Sequence, residues 1–162
     1  LAENGFSVEE YDARWTQGSF FGLRLAIPNT ERHRWAIMLH DLHHVATGYG
    51  TDLAGEGEIS AWETRGGLAC LGAYVGAVVL FATFAGVAMA PRRTLAAWRA
   101  FERSASLHEL LRSVRARDAQ EAAYARLLGM TVGELRALLG VPRGGLAGER
   151  ALHDYAPAHA SP

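Results

Sequence analysis

The run Trp35-Ala36-Ile37-Met38-Leu39-His40-Asp41-Leu42-His43-His44-Val45 sets the frame for reading the whole chain. Trp35, Met38, Leu39, Leu42 and Val45 recur at spacings of three and four, the period of one helix face. Pro28-Asn29-Thr30 breaks the chain ahead of this stripe and offers a cap, and a glycine-rich segment from Gly48 to Gly57 ends it. On such a helix His40 and His44 stack one turn apart, while Asp41 lies about 100° round from His40 and about 60° from His44. All three side chains are expected to converge beside the helix. Two imidazoles and a carboxylate suit zinc, iron or manganese. His43 points to another side and is a poor fourth candidate. The glycines of the Gly48 to Gly55 loop permit a tight return, so that Glu56, starting the next helix, can face the histidines. Spacing alone leaves a plainer alternative open: two ordinary helix histidines, and a carboxylate favoured by the dipole at a helix start.

Working outward, the second helix is expected to start near Gly55, to carry Ile59 and Trp62, and to stop at Gly66-Gly67. Gly66 to Ala90 has no charge and reads as one helix of roughly 37 Å at about 1.5 Å per residue, long enough for a bilayer. Its glycines, with Thr83 inside it, favour a buried or lipid-facing helix over a span, and Gly72 with Gly76 forms a small-x-x-x-small pair for close helix packing. Thr94 is expected to cap a helix from Leu95 to Arg103, and Ser106 a longer one from Leu107 to about Leu128. Thr131 with Glu134 forms a capping box for a last short helix that stops at Gly140. On the N-terminal side, Ser7 can cap a short helix from Val8 to Thr16, and Phe20 and Phe21 are candidate core anchors. No alternating pattern survives beyond four residues. The predicted class is all-α: a single-domain helical bundle with a metal site between two consecutive helices and one long apolar helix. Its predicted parts are an N-terminal segment (1–30), a helical metal-binding domain (31–141) and a flexible tail (142–162).

Composition bounds the function. All 16 basic residues are arginines, and they balance the 17 acidic ones to a net charge of −1, so no nucleic-acid or anionic-lipid partner is implied. The arginines at 112, 115, 117 and 126 alternate with Glu109, Asp118 and Glu121, which reads as a solvated face. Cys70, the single cysteine, sits in the apolar run and is expected as a small core residue. No basic-then-apolar leader opens the sequence, so a cytoplasmic location is expected, with membrane association left open by the apolar helix. Two other metal motifs fit poorly. A zincin needs His-Glu-x-x-His, whereas Asp41 is one methylene shorter and no downstream third ligand follows. A His-Asp phosphohydrolase would have to recruit His33 and Asp118 at forced spacings.

The string His40-Asp41-Leu42-His43-His44, followed after eleven residues by Glu56, resembles the His-Asp-x-x-His…Glu motif of the family of the fourth coenzyme Q (ubiquinone) biosynthesis protein. Val45-Ala46-Thr47-Gly48-Tyr49-Gly50-Thr51-Asp52, Gly55-Glu56 and the closing Leu135-Arg136-Ala137-Leu138-Leu139-Gly140-Val141 are also similar to its bacterial members. The resemblance spans about Arg32 to Val141. It implies an all-helical fold, one divalent metal (zinc first, iron or manganese as alternatives) on His40, Asp41, His44 and Glu56, and a groove for a prenylated ring. It also implies contact with membranes or pathway partners, and oxidative removal of a ring carboxylate. Asp41 and Glu56 are then the candidate catalytic groups.

For substrate, Arg65 could hold an acidic head group. Trp62, Tyr74 and Trp35 could wall a pocket, and Gly72 and Gly76 could leave room for a chain. A homo-oligomer is expected. The lysine-free, alanine-rich composition suggests a GC-rich bacterial genome, in which such a protein could instead be a cyclase or tailoring enzyme for a polyketide- or terpene-like substrate. A non-enzymatic lipid-binding assembly protein with a structural metal is the third reading.

Overall fold

The computed structural model describes the backbone of residues 15–20 and 23–28 and the chain from 30 to 148. Every regular element between residues 30 and 148 is a helix, in the class expected from the sequence. Helix α1 (Glu31–Thr47) begins where the Thr30 hydroxyl accepts the His33 N–H, and ends at Gly48, whose φ of +79° turns the chain. Helix α2 (Leu53–Gly66) starts two residues before the expected Gly55, because the Asp52 carboxylate caps it by accepting the Gly55 N–H at 2.7 Å. The apolar stretch is not one helix. Positive φ at Gly67 and Gly72 brackets a short 3-10 turn at Ala69–Leu71, and α3 (Gly72–Met89) follows. By length and composition Ala69–Met89 still passes as a membrane span.

Helix α4 (Pro91–Ala100) begins at its proline, which needs no N–H partner in a first turn. Thr94 therefore does not cap: it is buried inside the helix with its hydroxyl on the Ala90 carbonyl. The expected helix from Leu107 to Leu128 is two pieces, α5 (Leu107–Leu110, capped by Ser106) and α6 (Arg117–Leu128). On one straight helix Leu107 and Leu127 would lie about 200° apart. Both are buried in the same core cluster, and only a break permits that. Gln120 donates its side-chain amide to the Val114 carbonyl within the break. Helix α7 (Val132–Leu139) has the full Thr131/Glu134 capping box and stops at left-handed Gly140, as the sequence indicates.

Two further expectations change. Residues 143–148, expected in a flexible tail, dock on the end of α1. There Leu146 N–H meets the Thr47 carbonyl at 2.6 Å, Arg136 Nε donates to the Ala46 carbonyl, and Ala147 is buried. The rest of the tail lies outside the described residues. So does the proposed Val8–Thr16 helix, except for Trp15 and Thr16, which belong to strand β1 (Trp15–Phe20). That strand pairs antiparallel with β2 (Leu23–Pro28), Trp15 opposite Pro28 and Phe20 opposite Leu23. The side chain of Phe20 and the whole of Phe21 are outside the description.

Helix α2 packs against both α3 and α4, and α1 lies between two apolar clusters. The larger holds Leu39, Leu42, Ile59, Trp62, Leu107 and Leu139. The smaller joins Ala36 of α1 to Leu71, Val75 and Val79. Burying each large side chain contributes about 1.5–3 kcal/mol. The histidine-bearing face of α1 is held along the seam between the clusters. The tightest helix crossing is not at Gly72 and Gly76 but between Gly57 of α2 and Gly86 of α3, whose backbones touch.

Candidate metal centre

His40 and His44, one turn apart on α1, point their Nε2 atoms at each other across 3.1 Å. Glu56, in the first turn of α2, spans them, with one oxygen 3.4 Å from each Nε2. The tight return that brings it there depends on Gly55: a Cβ at that position would lie 2.0 Å from the Gly50 carbonyl oxygen. The ligand atoms of His40, His44 and Glu56 all fall within 4.8 Å of one another.

The opposite edge of each ring fixes its tautomer. His44 Nδ1 donates to the Tyr49 carbonyl at 2.9 Å, and His40 Nδ1 donates to Glu63 Oε1 at 3.0 Å. In the neutral form of each ring Nε2 is then the atom that can turn a lone pair to an ion, and the two Nε2 atoms lie side by side next to a carboxylate. That arrangement asks for a cation between them, so the residues fit a divalent ion. Without one, burial pushes the His40 imidazole down but Glu63 and Glu56 outweigh it, and its pKa stands well above the ordinary 6.5. Burial likewise pushes the Glu56 carboxyl up, but hydrogen bonds from both histidines bring it down to about 2.

The expected residues divide sharply. His40, His44 and Glu56 come together. Asp41 is buried, lies outside this ligand group and is engaged in an interaction of its own. A cavity of about 140 Å³ opens on the site, with Ile37, Leu71, Val75, Val78, Val79 and Ala82 as apolar wall and His33, His40, Glu56, Ser60, Glu63 and His108 as polar floor. None of the six residues expected to meet substrate lines it, and Trp35 lines a different cavity. Trp62 is a core residue packed edge-on to His43 and Phe101. Arg65 is exposed, its guanidinium over the Trp98 ring. Gly72 lies against the Arg32 side chain, Gly76 is in ordinary contact with Leu68, and exposed Tyr74 meets the edge of His33. A larger cavity, about 270 Å³, touches His108 as well and is lined by Arg32, Trp35, Cys70, Arg112 and Arg115 among others. Cys70 is half-buried there, its thiol pushed up by burial.

Of the polar residues at the cavity, Ser60, Glu63 and His108 were not singled out from the sequence as ligands or pocket groups, and His33 only within the rival phosphohydrolase motif. His33 is buried, with Nδ1 lacking a hydrogen-bond partner among the described residues. Glu63, 1% exposed, accepts at Oε1 from His40, from His43 Nδ1 (2.6 Å) and from His108 Nε2 (3.2 Å). The Glu63 signal was available, since Glu56 and Glu63 are seven apart and share a face of α2. The His108 signal was not, because α5 is far away in sequence. Comparison of the chain with protein-family models, curated proteins and solved structures finds no match.

Proposed function

We propose that the protein is a metal-dependent enzyme acting on a hydrophobic, ring-bearing or prenylated small molecule. Oxidative loss of a ring carboxylate, the activity of the ubiquinone-biosynthesis family that the His40-to-Glu56 motif resembles, is the reaction class. One observation carries this reading: two imidazoles and a carboxylate converge beside a cavity that His40 and Glu56 line and aliphatic side chains wall. His40, His44 and Glu56 hold the ion. With Asp41 outside the group, three protein ligands leave open positions, the pattern of catalytic rather than closed structural sites. A bound ion supplies Lewis acidity toward a carboxylate or carbonyl oxygen, and oxygen chemistry if it is iron or manganese. The chain itself contributes the rest: Val75, Val78, Val79 and Ala82 exclude water and seat an apolar body, and His33 offers an unused ring nitrogen at the same cavity.

The test is elemental analysis of protein prepared without chelators, beside a His40→Ala/His44→Ala double variant. One ion per chain, lost in the variant, supports the reading; no ion in the wild type refutes it. A second reading, a lipid-binding assembly protein with a structural metal, is favoured by the outer face of α3, where Leu80, Phe81, Phe84 and Val87 are exposed. Organic extracts of the same samples, examined by mass spectrometry, separate the two. Stoichiometric lipid retained by the metal-free variant favours the assembly protein and a peripheral membrane partner.

A further inference from the structure

Behind the metal ligands lies a second group of ligand-type side chains, His43, Glu63 and His108, whose atoms also fall within 4.8 Å of one another and are fully enclosed. By composition it resembles another metal site. Its hydrogen bonds say otherwise. His43 Nε2 accepts the Leu107 backbone N–H at 2.8 Å, so that nitrogen must keep its lone pair and the ring proton must sit on Nδ1. Nδ1 then faces Glu63 at 2.6 Å as a donor. A metal on Nδ1 would require Nε2 to carry the proton, and that proton would collide with the Leu107 N–H.

We propose that Glu63 is the positioning residue of the metal site, a buried carboxylate that fixes the tautomer and orientation of His40 while His43 and His108 hold the carboxylate in place. The proposal rests on the metal reading above. Glu63 Oε1 accepts from His40 Nδ1 and so reserves Nε2 for the ion. Two donors from other parts of the fold, His43 on α1 and His108 on α5, fix Oε1 from the opposite side. Oε2 is buried with no hydrogen-bond partner among the described residues, so nothing polar competes for the side chain's position. Charge supports the same assignment. A carboxylate 1% exposed, with hydrogen bonds but no arginine paired to it among the described residues, is costly unless a cation lies close. One divalent ion on His40 and His44 balances Glu56 and Glu63 together. Carboxylate–histidine–metal triads of this kind tune the ligand's basicity, and losing the outer carboxylate costs about 10–100-fold in metal affinity.

The test compares full-length wild type, Glu63→Gln and His44→Ala by competition with a chromophoric chelator, and by the visible spectrum of the cobalt-loaded proteins. The amide keeps an acceptor for the imidazoles while removing the charge. The expected result is one ion per chain in wild type and in Glu63→Gln, with affinity about 10–100-fold lower in the variant and a shifted cobalt spectrum. Unchanged affinity and spectrum in Glu63→Gln overturn the proposal while leaving the metal reading intact. A wild type that takes no ion overturns both. A nitrogen-15 spectrum of the zinc-loaded wild type decides independently of any variant's folding. Protons on Nδ1 of both His40 and His43 support the proposal, and a second zinc per chain with His43 Nδ1 deprotonated overturns it.

Discussion

Gly57 and Gly76 are both buried helix glycines, yet the structure predicts opposite outcomes when each is changed to alanine. A Cβ on Gly57 would lie 2.4 Å from the Gly86 Cα, and ordinary contact begins at 3.4 Å, so α2 and α3 must part by at least 1.0 Å. Both partners are backbone, and no rotamer change relieves the clash. Overpacking of this kind costs typically 1–3 kcal/mol, and the rigid contact puts it near ~3 kcal/mol. The better helix propensity of alanine returns roughly 1 kcal/mol, leaving a net loss of about 2 kcal/mol. At roughly 2–4 °C per kcal/mol for a domain of this size, Gly57→Ala should lower Tm by about 4–8 °C. A Cβ on Gly76 meets its nearest neighbour, Leu68, at 3.7 Å. There only the gain of roughly 0.5–1 kcal/mol applies, and Tm should rise by about 1–4 °C. The assay is thermal unfolding followed by circular dichroism at fixed metal content. If the two variants shift Tm in the same direction, the assignment of the close crossing to Gly57 and Gly86 is wrong. Because Glu56 precedes Gly57, the destabilised variant should also bind metal more weakly.

Chelator-treated protein should lose stability as the pH falls from 6.5. Burial outweighs the Glu63 contact and lowers the His43 pKa from the ordinary 6.5 to about 4, so the unfolded chain takes the proton first and stability drains between those values. Glu56, lowered from 4.5 to about 2, extends the loss further into acid. His40 acts in the opposite sense: its contribution is complete below 6.5 and is lost as the pH rises through its raised pKa. A Tm that stays level between pH 6.5 and 4 would show that His43 is not buried in its neutral form. Thr131→Ala removes the hydroxyl that accepts the Glu134 N–H and should cost about 1 kcal/mol, or roughly 2–4 °C in Tm. An equal Tm would mean that the capping box adds nothing to the folded domain.

The sequence alone determined what depends on neighbours in the chain. The apolar period fixed α1, and Thr30, Thr131, Gly48 and Gly140 fixed helix ends, because capping and left-handed turns act within four residues. The pairing of His40 with His44 is a property of the helix itself, and the glycine loop brought Glu56 within reach because only the short segment from Gly48 to Gly55 intervenes. Asp41 showed the limit of angular arguments: about 100° of helix rotation let it converge, yet it lies outside the group formed by His40, His44 and Glu56. Tertiary structure decided everything set by competition between distant surfaces. It broke the chain after Leu110 so that Leu107 and Leu127 could share one core, and it chose Gly57 and Gly86 over Gly72 and Gly76 as the crossing. It also enclosed Trp62 instead of leaving it in a pocket. Above all it carried His108 to Glu63 across 45 residues, making a buried charge behind the metal ligands. No local spacing encodes that contact, since it exists only once the two helices have been packed and the water between them removed.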